Sequence, residues 1–405
     1  MKSELARHTI RTSAVLALRL VIQAGNLIAV TRLLGPERFG EFAGIAALAV
    51  MLGALSSCGS HLLLLREMSH DPARSDEVLP YALGATLTVG TVLLLVLFAC
   101  VATLLPSTHA SLLVLLSIGL AEVWLQPLLV LTSIDRQAHG GIASSQLLLT
   151  LPLALRLVAA WAIWAWTPSH PLEIYALAYI GATVASLLAG LYGLTRSWPR
   201  PTRWRLPTRT EWRDTSGFAV LNLTAMGPTE LDKTLALRLL PLSAAGLYAA
   251  SARVVGALVL PVMALMLAAL PRLFRDSRQA SGNKLLRGIF ASSLAYGLLA
   301  AALLLVGGSA LEWVFGARYT GMSGLLHWLA LAVPGMALRI AAGNALMAGS
   351  HPWLRAGAEV LGLVALCSAA WLLAPNHHDA GMPLALACSE WSMAVAGWSM
   401  LLRRR

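Results

Sequence analysis

Five basic side chains lie within stretches that otherwise have the composition of membrane-spanning helices: Arg19, Arg156, Lys233, Arg253 and Arg339. A cation inside hydrocarbon costs several kcal/mol unless it faces water, a polar cavity or a partner. Such cations, repeated along one chain, favour a polar path through a membrane for an anionic cargo. The sequence therefore predicts that these five residues line a substrate-binding cavity.

The first apolar stretch adds two amides to its arginine. Arg19, Gln23 and Asn26 follow one another at i, i+4 and i+7, which places them on one face of a helix. This pattern is typical of a wall that faces water, so Gln23 and Asn26 belong to the predicted cavity. Hydrogen bonding between neighbouring helices is the alternative explanation for the two amides.

Carboxylates accompany the cations within the same apolar stretches. Glu122, Glu230 and Asp232 are the candidates for coupling transport to an ion. An alternative for Glu230 is a structural pair with Lys233, three residues further along the same helix. Structural pairing with another charge also stays open for three residues: Glu122, Arg156 and Glu390.

The composition excludes a soluble protein. Of the 405 residues, 58% are hydrophobic and 12% are charged, whereas soluble domains carry about 25% charged residues. The four cysteines lie singly, and no phosphate-binding glycine loop, nucleophile elbow or zinc motif is present. We therefore expect no metal, no cofactor and no enzymatic activity.

The elements that carry these residues are apolar stretches of roughly 20 residues, the length that crosses a bilayer. Placing the N-terminus inside the cell leaves most of the 30 Lys and Arg residues on the inner side. The net charge of +11 is then explained without nucleic acid. The sequence predicts an all-α integral membrane protein with cytoplasmic termini and about 12 transmembrane helices: 12–34, 41–65, 80–105, 110–133, 142–166, 173–195, 215–238, 246–270, 288–310, 323–347, 355–374 and 382–402.

An internal repeat divides these stretches into two sets of six. Residues Arg32–Ala43 align with Arg238–Ala249 at an offset of 206 residues. An even number of spans in each repeat keeps the two repeats parallel, and transporters built this way bind substrate between their halves. We therefore predict two pseudo-symmetric six-helix bundles around a central cavity, residues 1–200 and 215–405, joined by a basic cytoplasmic linker at 201–214.

Motifs in both repeats resemble those of a known family. The segment Arg32–Ala43 precedes a leucine-rich end at Leu62–Glu67, and Leu231–Lys233 precedes the second copy of the Arg-Leu-Leu motif. Further motifs lie at Phe315–Tyr319 and Gly343–Leu346. Together they resemble the Wzx-type polysaccharide and O-antigen flippases, in the polysaccharide-transporter branch of the multidrug/oligosaccharidyl-lipid/polysaccharide (MOP) exporter superfamily.

This resemblance implies a flippase of the bacterial cytoplasmic (inner) membrane. Its cargo would be an oligosaccharide linked to isoprenoid diphosphate, moved to the outer leaflet by alternating access for lipopolysaccharide O-antigen, capsule or exopolysaccharide biosynthesis. The expected partners are the lipid-linked glycan, membrane lipids and other polysaccharide-assembly proteins. One alternative is a cation-coupled drug exporter of the same superfamily, whose cavity would be rich in carboxylates. A membrane polymerase or glycosyltransferase is a further alternative, which the short outer loops disfavour.

Overall fold

The computed structural model describes residues 2–71, 75–105, 108–139, 141–194, 198–276, 280–349 and 351–403. Within these ranges the chain is helical apart from turns and short connections, which confirms the all-α prediction. In a membrane, a helix satisfies its backbone hydrogen bonds without water. The α-helices of the described residues are α1 (Lys2–Ser56), α2 (Ser60–His70), α3 (Ser75–Leu104), α4 (Leu112–Gly119), α5 (Gln126–Ala138), α6 (Ile142–Trp166), α7 (Pro171–Tyr192), α8 (Arg209–Leu239), α9 (Leu242–Leu258), α10 (Leu260–Asp276), α11 (Ala280–Phe315), α12 (Met322–Leu329), α13 (Ala332–Ala348), α14 (Pro352–Leu373) and α15 (His378–Arg403).

Among the described residues, eight helical segments are long and apolar enough to cross a membrane. The pair α12 and α13, bent by 46° at a short break, makes a ninth. Helix α1 covers two of the stretches predicted from sequence, and the more polar helices α8 and α15 cover two others. The helices therefore account for the predicted number of about 12 spans.

The predicted connection between the first two spans is a break inside α1. Gly35 has φ 70° and ψ 172°, a conformation outside the helical region. Glycine adopts a positive φ at little cost, because it has no Cβ. Pro36 follows and has no backbone N–H to continue the hydrogen-bond ladder. These two residues explain why α1 is broken at this point and contains two spans instead of one.

The described chain forms two compact units. Unit 1 comprises the residues up to Leu34 together with Ile45–Leu223, and unit 2 comprises Gly35–Gly44 together with Thr224–Arg405. The core of unit 1 is built by α2, α3, α5, α6 and α7, and that of unit 2 by α10, α11, α13 and α15. The predicted sequence halves, 1–200 and 215–405, remain a prediction, because contacts and sequence repeats are different criteria for dividing a chain.

The basic linker packs against unit 1. The backbone N–H of Arg205 donates to the carbonyl oxygen of Pro80 in α3 at 3.2 Å. A side chain at Gly84 would clash with the Arg205 carbonyl, so the close approach requires glycine there. Trp198 and Trp204 pack against the hydrophobic core of unit 1. The segment before α8 is therefore held to the helices of unit 1.

In unit 2, the two copies of the repeated motif touch each other. A Cβ added to Gly40 would lie 2.6 Å from the Leu242 carbonyl oxygen and 2.6 Å from the Gly246 nitrogen. Conversely, a Cβ added to Gly246 would clash with the Pro36 carbonyl oxygen and lie 3.0 Å from the Gly40 nitrogen. Pro36 and Gly40 align with Leu242 and Gly246 in the repeat. The contact is thus reciprocal, as expected for equivalent elements around a local two-fold axis.

Candidate functional site

In unit 1, Arg156 of α6 is buried in an ion pair. Its Nη2 donates to Glu122 Oε1 at 3.2 Å and to Thr183 Oγ1 at 2.8 Å. Glu122 lies on a π-helical turn, Leu120–Leu125, between α4 and α5. The hydroxyl of Tyr179 donates to the same carboxylate oxygen at 2.5 Å, and its ring lies 3.3 Å from the guanidinium carbon. Arg156 is therefore neutralised by the carboxylate that the sequence presented as a candidate for ion coupling.

In unit 2, Lys233 is neutralised by the residue before it. Its Nζ lies 3.0 Å from Asp232 Oδ1 and also donates to the Thr229 carbonyl oxygen. The second carboxylate oxygen of Asp232 accepts from the Tyr248 hydroxyl at 3.0 Å. The alternative of a Glu230–Lys233 pair is wrong. Asp232 is only 2% exposed whereas Glu230 is half-buried, so Asp232 needs the counterion more.

A second ion pair in unit 2 joins α13 to α15. Arg339 Nε donates to Glu390 Oε2 at 2.5 Å, and Glu390 is fully buried. Gly335, one turn before Arg339, packs directly on the backbone of Glu390 and allows the two helices to approach closely. A separate ion pair lies within α14, where the buried Glu359 accepts from Arg355 Nε through Oε1 at 2.8 Å. Arg339 is therefore also neutralised.

The two other cations have no carboxylate partner within the described ranges. Arg19, half-buried in unit 1, donates from Nη1 to the amide oxygen of Gln146 in α6 at 3.2 Å. Arg253, half-buried in unit 2, has its guanidinium carbon 5.9 Å from the centre of the Phe39 ring. Its Nε is buried without an acceptor in the described part of the protein. Among the described residues, the positive charges of Arg19 and Arg253 are therefore not balanced by a carboxylate.

The remaining predicted residues, Gln23, Asn26 and Glu230, differ in their burial and in their hydrogen-bond partners. Gln23 is exposed, and Asn26 has a buried amide oxygen without a donor among the described residues. Glu230 makes no ion pair within the part of the chain that the structure describes. Whether Gln23, Asn26 and Glu230 line the cavity therefore stays a prediction.

Metal binding was not expected from the sequence. Within the described ranges, no group of three or more His, Cys, Asp or Glu side chains is placed to hold a metal ion. The four cysteines are free thiols. The acidic side chains Glu122, Asp232 and Glu390 instead face basic partners.

Sequence reasoning misses four residues that contact the cations, among them Thr183, a common residue of apolar helices that accepts from Arg156. Gln146 is a lone amide within an apolar stretch, and this polarity was a signal that could have identified it. Phe39 lies in the repeated motif, but nothing in the motif indicates a contact with Arg253. Tyr179 carries no sequence signal, because tyrosines are ordinary residues of apolar helices.

Comparison with known proteins places this architecture in a family. The sequence profile of a family described as "Polysaccharide biosynthesis protein" matches residues 5–276. The chain belongs to this family. The resemblance carried by the repeated motifs is confirmed at this level, and the family match includes both copies, Arg32–Ala43 and Arg238–Ala249. Among curated proteins, no sequence matches the chain significantly.

Several solved structures share the fold. An inward-facing multidrug resistance MATE family transporter of the MOP superfamily is 13% identical, with a TM-score of 0.73 over 95% of this chain and 94% of that chain. The lipid II flippase MurJ, inward closed, is 10% identical, with a TM-score of 0.74 over 97% of this chain and 87% of that chain. A MOP superfamily transporter from Pyrococcus furiosus, described as having a binding pocket of reverse polarity, is 14% identical, with a TM-score of 0.67 over 98% and 95%.

These similarities establish the fold. The protein is a multi-pass membrane protein of the polysaccharide biosynthesis family with the fold of MOP superfamily transporters. Its structural neighbours are transporters and a flippase rather than enzymes.

Proposed function

We propose that this protein is a flippase that carries an isoprenoid-diphosphate-linked oligosaccharide from the inner to the outer leaflet of a bacterial cytoplasmic membrane. The family match supports a role in polysaccharide biosynthesis. Repeat units of O-antigen, capsule and exopolysaccharide all fit this description of the cargo. Transport would proceed by alternating access, with both termini on the cytoplasmic side, where the basic loop residues are concentrated.

The observation that carries this proposal is the unneutralised charge on Arg19 and Arg253. Three of the five intramembrane cations pair with a carboxylate, and these two do not within the described residues. An unpaired guanidinium at membrane depth is costly, so it is retained where it has a functional partner. The two residues belong to different units: Arg19 lies in unit 1 and Arg253 in unit 2.

A diphosphate would supply the negatively charged acceptors that Arg19 and Arg253 lack among the described residues. It offers several charged oxygen acceptors, and a hydrogen bond to a charged group is worth about 1.5–3 kcal/mol. Arginine suits such a ligand because its planar fork matches two phosphate oxygens at once. The membrane potential assists as well, since moving one negative charge outward gains about 2.3 kcal/mol per 100 mV, inside negative.

A cation-coupled drug exporter is the second candidate. Glu230 favours it, because this carboxylate lies in α8 and makes no ion pair within the described ranges. The other three carboxylates considered above, Glu122, Asp232 and Glu390, face basic side chains and provide little net negative charge for a cationic drug. Glu230 remains compatible with ion coupling of a flippase.

The proposal is tested in cells by replacing the two free cations. In a strain that lacks the gene, complementation with Arg19→Ala or Arg253→Ala should fail to restore surface polysaccharide at normal protein level. Lysine at either position should restore part of it, because charge is kept but the bidentate fork is lost. Arg403→Ala is the matched control, since Arg403 is an exposed arginine at the end of α15.

Binding to purified protein separates cargo recognition from other effects in the cell. Geranylgeranyl diphosphate is an anionic isoprenoid probe, and geranylgeraniol is its neutral control. The loss of one charge-assisted hydrogen bond should weaken diphosphate binding by about tenfold to a hundredfold. Full polysaccharide export together with unchanged diphosphate affinity in both alanine variants would refute an anionic cargo at these residues.

A further inference from the structure

The partner of Arg19 differs from that of Arg156 by one functional group. Arg19 Nη1 lies 3.2 Å from Gln146 Oε1, and Arg156 Nη2 lies 3.2 Å from Glu122 Oε1. Both contacts join an arginine to a side-chain oxygen on another helix of unit 1. The oxygen belongs to an amide in one case and to a carboxylate in the other. The donor–acceptor distance is therefore the same in both contacts, while the charge of the acceptor is not.

An amide oxygen orients a guanidinium without neutralising it. Like a carboxylate, it accepts an N–H hydrogen bond, but it carries no net charge. The guanidinium has five N–H donors, and the contact with Gln146 occupies one of them, on Nη1. The donors on Nη2 and Nε make no hydrogen bond within the described residues. They form an edge that a phosphate group can contact with two oxygens.

Gln146 is carried by a regular helix. It lies in the first turns of α6, half-buried, and its backbone carbonyl accepts from the Thr150 hydroxyl at 2.7 Å. Further along, a Cβ added to Gly25 of α1 would lie 3.5 Å from the Leu157 side chain of α6, so the two helices run close to each other there. The amide is thus presented by a packed helix rather than by a loop.

We propose that Gln146 is a positioning residue that makes Arg19 selective for an anionic headgroup. It fixes the direction of the guanidinium and preserves its charge, whereas a carboxylate at this position would convert Arg19 into a neutral pair like that of Arg156. This inference rests on the proposed function, because it concerns the same phosphate-bearing cargo.

The deciding variant is Gln146→Glu, which keeps shape and hydrogen-bond geometry but adds a negative charge. We expect the affinity for geranylgeranyl diphosphate to fall at least tenfold and polysaccharide export to be lost. Affinity for geranylgeraniol should stay within twofold of wild type. The thermal stability of the purified protein should be unchanged or higher, because Arg19 gains an ion pair.

Gln146→Met separates orientation from charge, since methionine fills a similar volume without accepting a strong hydrogen bond. We expect a loss of only a few-fold in diphosphate affinity, because Arg19 keeps its charge but not its orientation. A packing role alone predicts a different order, with Gln146→Glu indistinguishable from wild type in binding and export. Gln137→Glu, at the end of α5, controls for the added charge.

The outcomes distinguish this inference from the proposed function. If Arg19→Ala abolishes diphosphate binding while Gln146→Glu binds and exports like wild type, the role of Gln146 is refuted and the anionic cargo stands. If Arg19→Ala retains both activities, the proposed function fails at this residue. If Gln146→Glu loses activity only because the protein unfolds, its melting temperature falls, which contradicts the ion pair expected with Arg19.

Discussion

The buried pair of Glu122 and Arg156 provides the sharpest stability prediction. Arg156→Leu removes the cation and leaves the Glu122 carboxylate, which is 7% exposed, with the Tyr179 hydroxyl as its donor. Removing one partner of a buried ion pair costs about 3–5 kcal/mol, because the remaining charge is uncompensated. We expect the lower end, about 3 kcal/mol, since the short hydrogen bond from Tyr179 still stabilises the carboxylate.

The double variant should recover most of this loss. With Glu122→Leu and Arg156→Leu together, no charge is left buried, and replacing both members of a buried pair by apolar residues is often neutral or stabilising. We therefore expect the double variant to lie within about 1 kcal/mol of wild type. The double variant then loses at least about 2 kcal/mol less than Arg156→Leu alone, so the interaction energy of the cycle should exceed about 2 kcal/mol in magnitude.

The assay is reversible unfolding of the purified protein in detergent, with wild type, both single variants and the double variant measured under one condition. Arg19→Leu is the matched control, because Arg19 is also an arginine in an apolar helix of unit 1 but has an amide partner. It should cost far less than Arg156→Leu, since no carboxylate is left behind. Two outcomes would refute the assignment of Arg156 as a neutralised structural residue. One is a double variant whose loss of unfolding free energy equals the sum of the two single losses, and the other is an equal loss for Arg156→Leu and Arg19→Leu.

Two further predictions concern the repeat contact and the linker. Gly40→Val or Gly246→Val should destabilise the protein by about 1–3 kcal/mol or more, because each new side chain meets backbone that cannot rotate away. Gly256→Ala is the control, since Gly256 has open space around it, and it should be tolerated in the same unfolding assay. Arg205 donates two hydrogen bonds to the Glu211 carboxylate, from Nη2 at 2.6 Å and from Nη1 at 2.8 Å, and these lower the pKa of Glu211 to about 2. The stability from this exposed pair, at most about 1 kcal/mol, is present above the ordinary carboxyl pKa of about 4.3 and is lost as pH falls through about 2. The stability difference between wild type and Glu211→Gln should therefore shrink between pH 5 and pH 2, and a constant difference would contradict the pair.

The sequence alone predicted the features that depend on local composition. Apolar stretches of spanning length predicted the all-α membrane fold and a short connection between the first two spans, where the structure has its break at Gly35. The repeated motif indicated both the family and the equivalence of Gly40 with Gly246. The spans could be predicted from the sequence because membrane thickness and backbone hydrogen bonding constrain each segment separately, whatever its neighbours are.

The tertiary structure decided which intramembrane charges are free. From the sequence, Arg19 and Arg156 are equivalent arginines in apolar helices, yet one meets Gln146, 127 residues away, and the other meets Glu122, 34 residues away. Arg339 likewise finds Glu390 across 51 residues. Hydropathy and helical periodicity describe one helix at a time, whereas the partner of a side chain depends on which helices pack together and at what depth. The charge available to a cargo is therefore a property of the packed helices, and no single segment reveals it.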